Sequence, residues 1–249
     1  MAESSIASAL KERFAGFDKA APPSRFALGA ARLDAVLGGG LARARLHEAW
    51  PASGADQASA AGFALMLAVR AADEGRMIAW LAQDEGQGGI GPLYPPGLAE
   101  MGADPARFLF VTAPDEKALL RAAGDVVRSP AIGCAVIAPG RKSRGFTLTA
   151  TRRLTLFAEQ SGVTAILLRG ADPEAPSAAA TRWRIAAASS QLLEVEAPGH
   201  PAFTVDLVRQ RGGAPAAGWR LEWHRDAARF APLPRSLPAD AGGGLLAVG

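Results

Sequence analysis

The sequence predicts an α/β fold with a mainly parallel central sheet, and three observations support this prediction. Between residues 46 and 168, short apolar runs alternate with amphipathic helical patterns, which is the order of elements that βαβ units produce. A strand-like run, a loop of small residues and an Ala-rich helical pattern follow one another across residues 46–72. Beyond residue 190, segments that alternate apolar with polar side chains indicate antiparallel strands with one face in water.

The composition fits one large domain in a reducing, aqueous compartment. The chain has 249 residues, of which 49% are hydrophobic, and this is enough to form a single substantial core. A single cysteine, Cys134, excludes an internal disulfide, and its apolar neighbours predict a buried thiol. No apolar run reaches the roughly 20 residues of a membrane span, and the N-terminus lacks the basic start of a signal peptide. We therefore expect a cytoplasmic protein that does not contact a membrane.

The chain is predicted to consist of a helix, a core and a tail. Apolar residues at helical spacing predict an amphipathic helix over residues 4–17, and Pro22 and Pro23 indicate a non-helical linker after it. Proline- and glycine-rich sequence predicts a flexible C-terminal tail. The predicted organisation is an N-terminal helix and linker in residues 1–25, a core in residues 26–230 and the tail in residues 231–249.

Within the predicted core, the periodicity of the apolar residues assigns each element. The first short helix ends before Gly38, Gly39 and Gly40, since glycine adopts the positive φ of a helix C-terminus at little cost. The predicted helices cover residues 31–37, 58–73, 98–101, 114–128 and 147–160. The predicted strands cover residues 77–81, 108–111, 135–138 and 163–168, followed by residues 191–197, 203–210 and 219–224.

Residues 46–60 have the layout of a phosphate-binding loop without its chemistry. The signature G-x-x-x-x-G-K-[ST] needs a lysine for the phosphates and a hydroxyl for the metal ion. With Pro51 in the first glycine place, Gln57 takes the lysine place and Ala58 the hydroxyl place. The alternative interpretation is an ordinary strand–loop–helix connection that never bound a nucleotide. The residues assigned to the degenerate loop are Trp50, Pro51, Ser53, Gly54, Gln57 and Ala58.

Charge is distributed unevenly along the chain. Residues 1–140 hold 13 basic and 15 acidic residues, a net charge of −2, whereas residues 141–249 hold 14 and 9, a net charge of +5. Clustered arginine is typical of surfaces that meet phosphate backbones or acidic proteins. A solvated basic face without a partner is the alternative interpretation.

Four stretches, in this order, resemble the RecA recombinase family. Residues 29–41 resemble the family's entry into its core, and residues 47–50 resemble the strand before its phosphate loop. Residues 92–111 resemble the segment after its second strand, and residues 209–215 resemble a basic turn between late strands. The likeness is strongest to the ImuA family, which are degenerate RecA-like proteins of a damage-inducible mutagenesis cassette. It covers about residues 26–226 and implies a RecA-like core.

The departures from the RecA pattern imply a protein without useful ATP hydrolysis. The strand that carries the family's metal-orienting carboxylate ends here in residues 138–140, which contain no acid. The catalytic carboxylate after the second strand has only Asp84 or Glu85 as candidates, and Leu168 and Arg169 replace the polar sensor. A lone acid without a lysine or a metal ion repels a triphosphate. We therefore expect no cofactor, no metal and no catalytic residue.

Two basic loops lie where the RecA family has loops that contact single-stranded DNA. The resemblance implies that the loops after the strands of residues 135–138 and 163–168 contact single-stranded DNA. Basic loops with an aromatic residue suit phosphate neutralisation and base stacking. The alternative interpretation is two solvated loops with Trp183 half-buried. The candidate contacts to DNA or to a protein partner are Arg141, Lys142, Arg144, Arg152, Arg153, Arg169, Arg182, Trp183 and Arg184.

Three functional hypotheses follow from the resemblance and the departures. The first is a non-catalytic adaptor in damage-induced translesion synthesis, whose implied partner is an ImuB-type homologue of Y-family polymerases, with single-stranded DNA as a further candidate. The second is an ATP-dependent RecA-like recombinase, which the missing lysine argues against. The third is an inhibitor of cell division that resembles the SulA proteins. We expect a monomer or a hetero-complex, because the degenerate loop removes the nucleotide from the filament interface of RecA-like cores.

Overall fold

A computed structural model describes residues 23–72, 75–86, 93–171, 175–190 and 199–233. The predicted helix of residues 4–17 and the predicted strand of residues 191–197 lie outside the described residues, as does most of the predicted tail. Among the helices in the described ranges, none is long and apolar enough to cross a membrane.

A nine-stranded sheet forms the centre of the molecule, and two short strands pair with each other beside it. The strands are β1 (Arg25–Phe26), β2 (Leu41–Ala42), β3 (Leu46–Pro51), β4 (Met77–Gln83), β5 (Phe108–Ala113), β6 (Ile132–Ala138), β7 (Thr164–Leu168), β8 (Thr181–Ala187), β9 (Ala202–Gln210), β10 (Ala216–His224) and β11 (Arg229–Pro232). Across the large sheet their order is β5-β4-β6-β7-β3-β8-β9-β10-β11. The strands from β5 to β8 in this order are parallel, whereas β9, β10 and β11 continue in antiparallel pairs.

Helices cover both faces of the sheet. The helices in the described ranges are α1 (Ala31–Val36), α2 (Gln57–Ala71), α3 (Pro95–Glu100), α4 (Glu116–Arg128) and α5 (Leu148–Ser161). The apolar side of α2 belongs to the larger core cluster, and α4 and α5 contribute to a second cluster on the opposite face. The architecture confirms the predicted α/β class, with a mainly parallel sheet between helices and antiparallel strands on its C-terminal side.

An aromatic cluster fixes α2 against the late strands of the sheet. The ring of Phe63 lies with its centroid 6.1 Å from Trp183, 5.9 Å from Phe203 and 5.2 Å from Phe230. All four side chains are buried, so this cluster excludes water between the helix and strands β8, β9 and β11. Aromatic pairs in such tilted arrangements add stability beyond the area that they bury.

The helices on the other face begin at side chains that cap their free amides. The Asp115 carboxylate accepts a hydrogen bond from the Ala118 amide at 2.7 Å, at the start of α4. The Thr147 hydroxyl accepts one from the Ala150 amide at 3.4 Å, at the start of α5. Helix α5 ends at Gly162, whose φ of +79° is a left-handed conformation that favours glycine. These signals are local, which is why the sequence predicts both helices closely.

Strand β8 corrects the expectation that residues 169–184 form a basic loop. Residues Thr181–Ala187 lie in the middle of the sheet, parallel to β3 and antiparallel to β9. Trp183 and Ile185 point into the core on one face, and Arg182 lies on the other. The sequence of β8 therefore alternates apolar and polar side chains, as expected of a strand. The polar positions are arginines, however, and these pair with acids that are distant along the chain.

The sheet also extends beyond the predicted start of the C-terminal tail. Strand β11 covers Arg229–Pro232 and pairs with β10, so residues 231 and 232 belong to the core rather than to the tail. Phe230 is fully buried in this strand and packs on Trp223 with ring centroids 5.0 Å apart. Pro232 is tolerated because β11 is an edge strand, where a missing amide donor costs little.

A buried hydrogen-bond chain joins strands β2, β3 and β8 at His47. The Trp183 indole N–H donates to Thr181 Oγ1 at 2.7 Å, and the Thr181 hydroxyl lies 2.7 Å from His47 Nδ1. His47 Nε2 lies 2.8 Å from the Ala42 carbonyl, which can only accept, so Nε2 carries the proton and Nδ1 accepts from Thr181. Burial, the largest cause, lowers the pKa of His47 from 6.5 to about 4, so the imidazole is neutral at physiological pH.

This lowered pKa predicts a pH dependence of stability. The contribution of His47 is fully present above pH 6.5 and is lost as the pH falls to about 4, because the unfolded imidazole binds a proton in that window and the folded one does not. We expect the free energy of unfolding to fall by on the order of 3 kcal/mol across it, as measured by urea unfolding. His47→Gln, which keeps one donor and one acceptor, should remove this step, whereas His224→Gln should keep it. A wild-type curve without the step would contradict the assignment.

Candidate functional site

The degenerate phosphate loop adopts the predicted strand–loop–helix layout. Strand β3 ends at Pro51, a 3₁₀ turn covers Gly54–Asp56, and α2 begins directly at Gln57. Ser53, Gly54 and the following Ala55 are exposed, as is Ala58. Trp50 is buried at the end of the strand. The loop therefore faces solvent between the end of a strand and the start of a helix, where a phosphate loop would lie.

The Asp56 carboxylate, which was not among the candidate site residues, forms hydrogen bonds within this loop and to the end of β8. Asp56 Oδ2 accepts a hydrogen bond from the Ser53 hydroxyl at 2.6 Å, and Oδ1 accepts one from the Ala187 amide at 2.8 Å. The Ser53 hydrogen bond is the largest cause that lowers the pKa of Asp56, followed by the Ala187 amide. Asp56 stands in the second glycine place of the signature, directly before Gln57. The loop thus carries its own negative charge where a phosphate loop leaves room for an anion.

We expect Asp56→Ala to release the end of β8 from the loop. The Ala187 amide would lose its charged acceptor, so its hydrogen exchange at neutral pH should rise about tenfold, in line with a hydrogen bond to a charged group. Because the folded pKa of Asp56 is depressed, the same bond is present above pH 3.8 and is lost as the pH falls below it. Amide exchange followed by NMR measures both effects. Asp226→Ala, an exposed acid elsewhere, serves as the control, and equal exchange rates in the two variants would contradict this role.

A cleft of about 800 Å³ lies beside the degenerate loop, at the carboxyl ends of β3, β4, β6 and β7. Parallel sheets place their ligands at these ends. The lining includes two carboxylates, Asp84 and Glu85, and two cations, Arg141 and Lys142. The cleft is therefore balanced in charge, unlike a triphosphate site, in which cations and backbone amides dominate.

Glu85, one of the two candidates for the catalytic carboxylate, binds the neighbouring loop instead. Glu85 Oε1 accepts a hydrogen bond from the Arg141 amide at 2.7 Å, and Gln83 Oε1 accepts one from the Gly140 amide at 3.0 Å. A Cβ at Gly140 would stand 2.8 Å from Glu85 Oε1, so a larger residue there would displace the carboxylate from its present position. The Glu85 carboxylate thus binds the backbone of the loop after β6.

The basic loop of residues 140–145 has a fixed backbone and exposed cations. Glu116 Oε1 accepts hydrogen bonds from the Ser143 hydroxyl and, at 2.7 Å, from the Gly145 amide. Together with Glu85, this carboxylate holds the loop at both ends. The cations of the loop, Arg141, Lys142 and Arg144, are exposed. Carboxylates bound to the backbone leave these side chains available to an external anion.

Two of the predicted contact residues are part of the core and not of a binding loop. Glu48 on β3 is fully buried and accepts hydrogen bonds from Arg169 and, at 2.7 Å, from Arg182. Arg169 also donates to the Phe146 carbonyl at 2.9 Å. The side chains of Arg169 and Arg182 are only 9% and 13% exposed. Both arginines are therefore removed from the candidate contacts, because their guanidinium groups compensate a buried carboxylate.

Trp183 is also corrected by the structure, whereas Arg184 stays a candidate contact. Trp183 is fully buried, and its indole N–H is donated to Thr181, so the ring cannot stack on a nucleic-acid base. Arg184 is half-exposed on β8 and forms an ion pair with Asp206 at 2.7 Å. The other predicted contacts, Arg152 and Arg153 on α5, are exposed. The exposed cations on the loop that follows β6 and on the helix after it are thus Arg141, Lys142, Arg144, Arg152 and Arg153.

No group of three or more His, Cys, Asp or Glu side chains within the described ranges is arranged to hold a metal ion. The thiol of Cys134 is buried in β6, and desolvation strongly raises its pKa, so it remains protonated.

Comparison with known proteins places the chain in a family. No protein-family model matches it. Protein ImuA of Caulobacter vibrioides strain NA1000 is 32% identical over 199 residues, which cover 74% of this chain and 77% of that protein. Protein ImuA of strain ATCC 19089 of the same species shows the same identity and coverage. The chain belongs to the ImuA family.

A solved recombinase shares the fold. The crystal structure of the RadB recombinase has a TM-score of 0.56 to this chain and 15% sequence identity, and the match covers 84% of this chain and 100% of that one. At this identity the likeness concerns the fold alone. It confirms the RecA-like core that the sequence of this ImuA-family protein predicts.

Proposed function

We propose that this protein is a non-catalytic RecA-like adaptor in damage-induced translesion synthesis. In this role it binds an ImuB-type homologue of Y-family polymerases and holds it on single-stranded DNA. It neither hydrolyses ATP nor depends on it. Its family membership, its RecA-like core and the chemistry of its degenerate loop support this role together.

The observation that carries the proposal is the replacement of the phosphate-binding residues in the degenerate loop. Its lysine and hydroxyl places hold Gln57 and Ala58, and its second glycine place holds Asp56, whose carboxylate is bound to Ser53 and Ala187. A triphosphate brought to this loop would meet a negative charge instead of a lysine, so repulsion replaces attraction. A RecA-like frame kept without this chemistry is best explained by binding to other macromolecules.

The basic loop after β6 supports the DNA part of the proposal. Arg141, Lys142 and Arg144 are exposed on a backbone that Glu85 and Glu116 fix. Because the backbone of the loop is already fixed, DNA binding does not have to order it, which lowers the entropic cost of neutralising phosphates. Arg152 and Arg153 extend the exposed cations onto the helix that follows. These five cations can therefore contact DNA without the loss of a buried ion pair.

Co-purification with the ImuB-type homologue tests the partner part of the proposal. The two proteins are mixed with and without ATP and separated by size-exclusion chromatography. We expect a complex of the same stability in both conditions. The absence of a complex, or a complex that forms only with ATP, would overturn the adaptor role. The basic loop is tested separately by DNA binding.

A further inference from the structure

A groove of about 400 Å³ separates α4 from α5 on the outer face of the molecule. Its lining shares no residue with the cleft beside the degenerate loop. Leu120, Gly124, Leu154 and Phe157 give it an apolar floor. Gly124 adds no side chain to the floor, and a Cβ there would make an ordinary contact of 3.7 Å with Phe157 Cε2. The floor is thus a strip of apolar surface between two helices that pack side by side on the sheet.

Cations stand on both rims of the groove. Lys117 and Arg121 are exposed on α4, one helical turn apart, and Arg153 is exposed on α5. Arg128 lies at the far end of α4, with its guanidinium carbon 4.8 Å from the centroid of the Phe157 ring. Asp125 is the carboxylate in the lining, and it is paired with Arg128 at 2.6 Å. The groove therefore combines an apolar floor with an excess of positive charge.

We propose that the α4–α5 groove binds an acidic amphipathic helix of a protein partner. Such a helix places leucine-like side chains on the apolar floor and carboxylates opposite Lys117, Arg121 and Arg153, which is the helix-in-groove mode of recognition. The rim cations of α4 extend from Lys117 to Arg128, about 16 Å along the helix axis, which corresponds to three turns of a bound helix. This length matches a short segment of a partner.

The apolar floor distinguishes this surface from a nucleic-acid site. A phosphate backbone offers charge to the rims and nothing apolar to Leu120, Leu154 and Phe157. An amphipathic helix in the groove removes the half-buried Leu120 and Phe157 from water, and the charges on the rims select its acidic face.

This inference rests on the proposed adaptor role, for which it names a partner surface. Its test measures peptide binding without ATP and uses DNA only as a competitor, so failure here leaves the basic loop and the degenerate loop to be judged by their own experiments. The probe is a fluorescein-labelled synthetic peptide of about 16 residues, with leucines at helical spacing and glutamates on either side. A second peptide carries lysines in place of the glutamates.

Fluorescence anisotropy compares the full-length wild type with two triple variants of equal charge change. The groove variant is Lys117→Glu, Arg121→Glu and Arg153→Glu, and the control variant is Arg32→Glu, Arg211→Glu and Arg229→Glu, all at exposed positions. We expect the groove variant to bind the acidic peptide at least about tenfold more weakly than the control variant, since three favourable charge contacts become repulsive. The lysine peptide should not bind the wild type.

A single substitution on the apolar floor of the groove gives a second test, which does not change the cations on its rims. Gly124→Glu places a carboxylate in the groove and improves helix propensity, so α4 should remain folded. This variant should also lose the acidic peptide. No binding to the wild type, or equal loss in the groove and control variants, would overturn the proposal. Displacement of the bound peptide by a single-stranded oligonucleotide from the Arg141→Ala, Lys142→Ala and Arg144→Ala variant, whose basic loop has lost its cations, would overturn it as well and assign the groove to nucleic acid.

Discussion

Glu48→Gln should lower the free energy of unfolding by about 3–5 kcal/mol, because it neutralises a buried carboxylate that two arginines contact. Glu48 is fully buried, and the side chains of Arg169 and Arg182 are 9% and 13% exposed. A neutral amide of the same shape leaves positive charge in the core without its counter-charge. Denaturant unfolding monitored by tryptophan fluorescence measures the change, which corresponds to a fall in Tm of roughly 10 °C or more.

The matched control is an ion pair at the surface. Asp125→Asn breaks the ion pair between Asp125 and Arg128, whose side chains are 73% and 54% exposed, respectively. This change should lower the free energy of unfolding by less than about 1 kcal/mol, because water and salt screen such pairs. If Glu48→Gln cost no more than this control, the buried cluster would not hold β3, β7 and β8 together.

The Arg141→Ala, Lys142→Ala and Arg144→Ala triple variant should bind single-stranded DNA about 100-fold more weakly at about 0.1 M salt, if each cation neutralises one phosphate. Three lost contacts should also reduce the slope of log K against log salt by about 2. These side chains are exposed and the backbone of their loop is held by Glu85 and Glu116, so the variant should remain folded. Fluorescence anisotropy across a salt series measures both quantities.

The control for this experiment changes the same charge elsewhere. Arg32→Ala, Arg211→Ala and Arg229→Ala remove three exposed cations far from the loop along the chain. This variant should keep the wild-type salt slope. If both variants lost affinity equally, DNA binding would reflect net charge and not the loop. If the wild type did not bind DNA at all, the adaptor would act through proteins alone.

The fold could be predicted because its signals are local. The helix predicted over residues 58–73 is Gln57–Ala71, and the strand predicted over residues 163–168 is Thr164–Leu168. Periodicity, caps and glycine positions determine such elements over a few turns. The order of the strands in the sheet follows from the RecA-like resemblance and not from periodicity, since pairing between distant strands leaves no local pattern.

The candidate site could be predicted only in part, and the reason is long-range pairing. Arg169 and Arg182 look like surface cations in the sequence, but their acid, Glu48, lies 121 and 134 residues away. Trp183 looks like an aromatic residue in a basic loop until β8 is placed between β3 and β9. Asp56 was readable from the sequence, as an acid in the second glycine place of the signature. Its hydrogen bond to Ala187 was not, because it depends on the end of β8.

Equilibrium binding and turnover of ATP test the central claim most directly. Labelled ATP with magnesium is titrated against the full-length chain, alone and with single-stranded DNA and the ImuB-type homologue, up to about 1 mM, the upper range of ordinary KM values. We expect no saturable binding and no phosphate release, because Gln57, Ala58 and Asp56 replace the groups that would hold a triphosphate. Saturable binding with turnover would contradict this expectation and restore an ATP-dependent recombinase as the function of this RecA-like core.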